Sequence, residues 1–314
     1  MYFCAAKNAQ AAYFIDKMWI SLSITSALLL GGYDVLKKLS LRGNAVLPVL
    51  YLASLSGALV FLPFLIISEA APHALSLLYM PRMTWEQHAL TLVKSSIVGA
   101  SWVLSYYAMR YLPITIVSPV RATSPLLTLL GAVTLLGESL NALQWAGVAV
   151  TVVFFWLFSK AGKRENISFG RNKWMICLYA GTFLAAVSGL YDKYLLGNLG
   201  VPKNTMQAWF NIYMTVVLLP FLLLKWWPVR RESKLSFRWT IPLIGFCLAL
   251  ADFVYFYALA DPESLVAIVS ALRRCSVVVP FLAGAIFFKE QNVGRKLAII
   301  GGMIAGVCMV VMGS

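Results

Sequence analysis

Long charge-free runs separated by short basic connectors constrain this chain more than any other feature. Pro48–Ile67, Leu126–Leu136 and Val277–Phe288 contain no Asp, Glu, Lys or Arg. About 20 helical residues cross a hydrocarbon layer of roughly 30 Å. Within that layer every backbone N–H and C=O must be paired inside the segment, which leaves helices rather than open sheets. Only 12% of the 314 residues are charged and 61% are hydrophobic, too little charge to clothe a water-soluble surface. The expected class is an all-α membrane protein with about ten transmembrane helices, arranged as two inverted five-helix repeats.

The net charge of +14 invites a nucleic-acid reading, but its placement argues against one. Lys and Arg fall almost wholly in the short connectors, where the positive-inside rule accounts for them. Cys4, Cys177, Cys247, Cys275 and Cys308 form no CxxC pair. They read as small buried hydrophobes, neither a disulfide frame nor a metal site. His73 and His88 lack any metal-ligand spacing. No metal or cofactor is expected. The first apolar segment, from Met18 to about Val35, is too long for a signal-peptide core and lacks a small-residue cleavage site.

Apolar pattern and breakers place helices near 18–39, 45–68, 88–110, 113–136 and 140–160, then 173–196, 205–226, 239–260, 263–288 and 294–313. Residues 1–160 form the first repeat, 161–172 a basic linker and 173–314 the second repeat, all one transport unit. Tryptophans gather near the proposed ends, as an interfacial belt requires, with Trp102 deep in the third helix as the exception. Connectors on one side, termini included, hold four basic residues (Lys7, Lys17, Arg82, Lys203), and those on the other hold seventeen, Lys37 and Lys296 among them. That bias predicts an inner-membrane protein with both termini outside the cytoplasm.

An internal repeat underlies the two halves. Gly32-Tyr33-Asp34 answers Leu190-Tyr191-Asp192, and Tyr106-Tyr107-Ala108 answers Phe256-Tyr257-Ala258. Ser118, Arg121, Ser124 and Glu138 map onto Ser270, Arg273, Ser276 and Glu290 with one offset of 152. An odd number of helices per half turns the second over in the bilayer. Such repeats place a binding site at their interface near the midplane and support alternating access.

These features resemble the drug/metabolite transporter superfamily, in particular its EamA-like ten-helix branch. Ser124-Pro125 through Gly137-Glu138, followed by Leu143-Gln144-Trp145-Ala146-Gly147, carries the likeness. The family's repeats set a proline about thirteen residues before a Gly-Glu turn. In the second copy Val277 replaces the proline and Lys289 the glycine. The resemblance implies a secondary transporter of this fold, and family members are usually drawn with cytoplasmic termini, opposite to the charge count.

Ionisable residues inside the helices point to the chemistry. A charge at a helix centre costs on the order of 2.5–3.5 kcal/mol on insertion scales, so it faces a cavity or a partner. Arg121 lies about 12 Å along the fourth helix and Arg273 about 15 Å along the ninth. With Ser118 and Ser270 on their stripes, they are candidates to clamp a carboxylate or phosphate. The alternative is that each arginine is locked to Asp34, Asp192 or Asp252 and only fixes packing. Trp102 and Tyr106 are candidate pocket walls, and Asp252 a candidate for proton coupling or charge balance. Tyr33, Asp34, Tyr191 and Asp192, near helix ends and followed by Lys37 and Lys193, are candidate gates. Arg274 points about 100° from its neighbour and stays open between both roles. Lys94 is expected to snorkel to the interface. Glu138 and Glu290 are expected to organise turns. Gly302-Met-Ile-Ala-Gly306 permits close helix contact, within the fold or in a homodimer.

The expected partners are a small polar anionic or zwitterionic solute, such as an amino acid or organic acid, and membrane lipid. A lipid-head-group translocase of the same fold is the nearest rival. A membrane-embedded enzyme would need a nucleophile–base or metal cluster, and no GxSxG, P-loop or dinucleotide motif is present. No enzymatic activity is expected.

Overall fold

The computed structural model describes residues 18–70, 79–136, 140–163, 172–259, 272–273, 275–287 and 293–313. Every regular element among them is helical. The first half contains α1 (Met18–Leu41), α2 (Val46–Ala70), α3 (Trp85–Tyr111), α4 (Ile114–Ala122), α5 (Ser124–Leu136) and α6 (Ala142–Lys163). The second contains α7 (Lys173–Lys193), α8 (Lys203–Phe221), α9 (Thr240–Leu259), α10 (Val278–Ile286) and α11 (Val293–Met312). Single π-helical turns extend α7 through Asn198 and α8 through Trp226.

Among the described residues five stretches are long and apolar enough to cross a membrane: Trp19–Leu41, Val46–Ala70, Trp85–Tyr111, Lys173–Leu196 and Lys203–Val229. Shorter apolar helices cover Ala142–Phe158, Thr240–Tyr255, Cys275–Ile286 and Lys296–Val310. The chain is a multi-pass membrane protein. Its packing suits a lipid solvent. Large apolar side chains such as Leu59, Ile66, Phe183 and Phe246 face outward, while Ser26, Ser95, Ser101 and Thr182 are buried. Hydrocarbon outside gives no hydrophobic drive for association, so small residues and hydroxyls make the close contacts. Ser26 Oγ donates to Ala251 O at 2.7 Å, joining α1 to α9, and Ser101 Oγ to Gly181 O at 2.6 Å, joining α3 to α7.

The most extensive helix pairs are α6 with α11, α1 with α9 and α3 with α7. Next come α2 on α9, α2 on α8, α3 on α8, α5 on α7, and α10 on α1 and α4. Glycines set the closest approaches. A Cβ added at Gly306 would lie 2.4 Å from Thr151 Oγ1 and 2.8 Å from Thr151 N, and one at Gly302 would meet the Phe154 ring. The GxxxG face is therefore filled by α6, and it serves the fold. At Gly245 the added Cβ would lie 2.4 Å from Ala53 O and 2.5 Å from Gly57 N. Backbone cannot move aside as a flexible side chain can. Gly245→Ala should force α2 and α9 apart and cost about 1–3 kcal/mol, read as a lower unfolding midpoint in detergent.

One element departs from its sequence-predicted form. The helix expected over 113–136 is divided at Thr123, a turn between α4 and α5. Pro125 has no N–H to offer the Arg121 carbonyl, and Thr123 Oγ1 donates to Val120 O at 2.7 Å. In the second half a 3-10 turn over Cys275–Val277 stands directly before α10, at the positions that the offset of 152 pairs with Thr123–Pro125.

Three connector charges also lie elsewhere than expected. α1 continues to Leu41, so Lys37 and Lys38 are helical. Lys38 Nζ donates to Met109 O at 2.8 Å and Leu112 O at 2.5 Å, satisfying carbonyls left open where α3 ends. Lys37 and Lys296 are buried, and Lys296 Nζ donates to Thr115 Oγ1 at 3.2 Å. A tally based on sequence distance cannot separate a buried cation from a loop cation, but removing these two leaves the bias in place.

Candidate functional site

On α1, Leu30, Tyr33, Asp34 and Lys37 share a face because they recur at helical spacing. On α4, Ser118 and Arg121 do the same. The two faces meet beside the break in the fourth helix. Leu30, Tyr33, Asp34, Ser118, Arg121 and Ala122, closed by Ser276 and Val277, line a cavity of about 110 Å³. Arg121 Nη1 donates to Asp34 Oδ1 at 3.0 Å, and Lys37 Nζ forms a second ion pair with the same oxygen. The Lys37 ammonium lies 3.9 Å from the Tyr33 ring centroid and 5.6 Å from that of Tyr106. Lys37, Tyr33 and Tyr106 are all buried. Ser118, 4% exposed, has a buried Oγ with no hydrogen-bond partner among the described residues. Two cations thus share one carboxylate, and a free hydroxyl stands in the same wall.

A second cluster joins α9 to the segment before α10. Arg273 Nη2 pairs with Asp252 Oδ1, and Gln207 Nε2 of α8 donates to Asp252 Oδ2 at 3.2 Å. The guanidinium lies over the Tyr255 ring, 4.2 Å from its centroid. Among the described residues one cation meets one carboxylate here. A third cluster ties α3 to α7: Lys94 Nζ pairs with Asp192 Oδ1 at 2.6 Å and lies 4.9 Å from the Phe210 ring centroid. Lys94 is buried and does not snorkel. Asp192 supplies a partner inside the bundle, which removes the reason for the side chain to reach the interface.

The predicted site residues are partly brought together. Ser118, Arg121, Tyr33 and Asp34 meet in one cavity, so the first pair of gate residues joins the candidate binding residues. Tyr106 backs the same cluster through Lys37. Trp102 packs edge-on against Phe210, centroids 6.1 Å apart, and Tyr191 Oη donates to Leu90 O at 3.3 Å. Arg273 does not line the Arg121 cavity; each arginine is paired with an acid, as the packing alternative requires. Ser270, Arg274, Glu138, Glu290 and His73 lie outside the described residues. His88 borders a separate cavity of about 680 Å³ with Glu69, Arg82 and Trp209, and its Nδ1 is 2.9 Å from Tyr213 Oη.

The sequence reading set Lys37 beside Tyr33 and Asp34 at a gate, one helical turn after Asp34, and sent Lys94 to the interface. It passed over Gln207, which carries no mark of its partner because Asp252 comes from another helix.

The chain can now be set beside known proteins. The profile of the EamA-like transporter family matches residues 17–160. No curated protein sequence matches the chain. Among solved structures, one described only as "Crystal structure of protein" is similar in fold, with a TM-score of 0.56 at 17% identity, over 92% of this chain and 96% of that one. At that identity the likeness concerns fold alone. Residues 17–160, which span α1 to α5 and most of α6, are thus similar to the EamA-like transporter family, which falls in the drug/metabolite transporter superfamily.

Proposed function

We propose that this protein is a secondary transporter that moves a small anionic or zwitterionic metabolite across the inner membrane by alternating access. The observation that carries the reading is the surplus cation at Arg121. Of the three ion clusters inside the bundle among the described residues, the one holding two cations to one carboxylate also borders a cavity and a hydroxyl with no described partner. A guanidinium offers forked donors suited to a carboxylate or phosphate. A helix broken beside the cavity adds backbone groups to the site, a recurrent feature of transporter folds.

The body plan in this reading is about ten spans in two inverted halves, with the basic connectors cytoplasmic and both termini outside. Helix pairing supports it. Under exchange of the halves, α1 with α9 answers α7 with α3, α2 with α9 answers α8 with α3, and α10 with α1 answers α5 with α7. Arg273 and Asp252 then balance charge in the second half, and Asp252 is the candidate for proton coupling.

A second reading, a lipid-head-group translocase of the same fold, draws support from a cleft of about 350 Å³ between α4, α5, α6 and α7. Val120, Leu126, Val152, Phe155 and Phe183 give it apolar walls.

Thermal-shift screening of the detergent-purified protein separates these readings. A ligand at about 100 times its Kd adds roughly 2.7 kcal/mol to the folded state. Soluble anionic or zwitterionic compounds should raise the unfolding midpoint. If only lysolipids do so, the translocase reading replaces the first, and a screen with no anionic or zwitterionic hit of either kind removes both.

A further inference from the structure

The Arg121 cluster contains its own counter-ion, and this bears on how an empty carrier crosses the membrane. Net transport by alternating access must return the unloaded protein through an occluded state in which the site is cut off from both faces. Closing a low-dielectric chamber over uncompensated charge is unfavourable. A site of Lys37 and Arg121 alone would hold two uncompensated cations. Asp34 removes one, through the same oxygen for both, at the position where an entering carboxylate or phosphate would lie against the guanidinium. Among the described residues Arg273 with Asp252 and Lys94 with Asp192 are already matched one to one, so only in the first of the three clusters does an arriving solute anion cancel a surplus charge.

We infer that Asp34 is a built-in surrogate for the transported anion: it occupies Arg121 in the unloaded protein, lets the empty carrier reorient, and yields the guanidinium when solute binds. The inference rests on the proposed transport function. It goes beyond that function in assigning Asp34 a role in the solute-free return, and hence in making net transport possible rather than strict exchange alone. Lys37 takes over the released carboxylate, one helical turn away on the same face.

The test needs no identified solute, because it follows the empty protein. Ser118→Cys puts a thiol in the cavity wall, and its modification by a membrane-impermeant cationic methanethiosulfonate is applied from either face of oriented proteoliposomes. A cationic reagent cannot stand in for the anion. Peptide mass spectrometry reads the adduct at position 118 apart from the native cysteines. The carrier with Ser118→Cys alone should be labelled from both faces, at rates within about tenfold of each other. Adding Asp34→Asn should lower labelling from one face by about tenfold or more relative to the other. Adding Lys37→Met to that protein restores the wild-type surplus of one cation, and should restore labelling from both faces. A purely structural role for Asp34 predicts no such rescue.

The inference is overturned if Asp34→Asn leaves the ratio of the two rates unchanged, or if Lys37→Met fails to restore it. Labelling of the parent Ser118→Cys protein from one face only also overturns it, and that arm involves no change at Asp34, so misfolding of Asp34→Asn cannot shelter the idea. Labelling from neither face, with full reaction after denaturation, would instead remove the solute path itself and the transport reading with it.

Discussion

Arg273→Ala should destabilise the protein by about 3–5 kcal/mol, the range expected when one member of a buried ion pair is removed and the other is stranded. Asp252 is only 17% exposed at its side chain, and Gln207 would remain as its one described partner. A single amide donor does not replace a guanidinium. The unfolding midpoint in detergent, followed by intrinsic fluorescence, measures the loss. The double variant Arg273→Met/Asp252→Leu should recover most of it, because exchanging both charges for apolar groups of similar size removes the stranded acid. If the double variant is as unstable as the single one, packing around the guanidinium rather than charge explains the effect.

Arg121→Ala should behave in the opposite way, although it occupies the matching place in the repeat. Asp34 keeps Lys37 as a partner, so the fold should lose much less than with Arg273→Ala. Ligand affinity should fall instead. Removing a charge-assisted hydrogen-bond donor costs roughly 1.5–3 kcal/mol, which is about 10- to 150-fold in Kd. Arg121→Lys should recover only part of this, since an ammonium lacks the planar fork. Titration of a screened anionic or zwitterionic ligand, by calorimetry or thermal shift, gives both numbers. An unchanged Kd in Arg121→Ala, with the fold intact, would take Arg121 out of the binding site.

The contrast between these two arginines shows where sequence reasoning stops. Ser118 and Arg121 recur as Ser270 and Arg273 at one offset, and the pattern suggested equal partners at one central site. Their acids do not follow the repeat. Arg121 meets Asp34 from α1, whereas Arg273 meets Asp252 from α9 rather than Asp192, the counterpart of Asp34. Asp192 goes to Lys94, and nothing in the sequence gives that lysine a counterpart at the matching place in the second half, where Ile244 stands. A matched sequence position constrains helix and lipid contact but leaves the partner of a buried charge free to differ.

Hydropathy, turn residues and the spacing of apolar runs by themselves determined that this chain is helical and membrane-embedded. Lipid imposes that outcome segment by segment, since each helix must satisfy its own backbone and present an apolar face. Tertiary structure alone decided which charges are partners, that the fourth helix breaks beside the cavity, that Lys37 and Lys94 are buried, and that the glycine stripe of α11 meets α6. Those outcomes depend on which helix faces lie together, and residues from helices far apart in the chain carry no mutual mark in a single sequence.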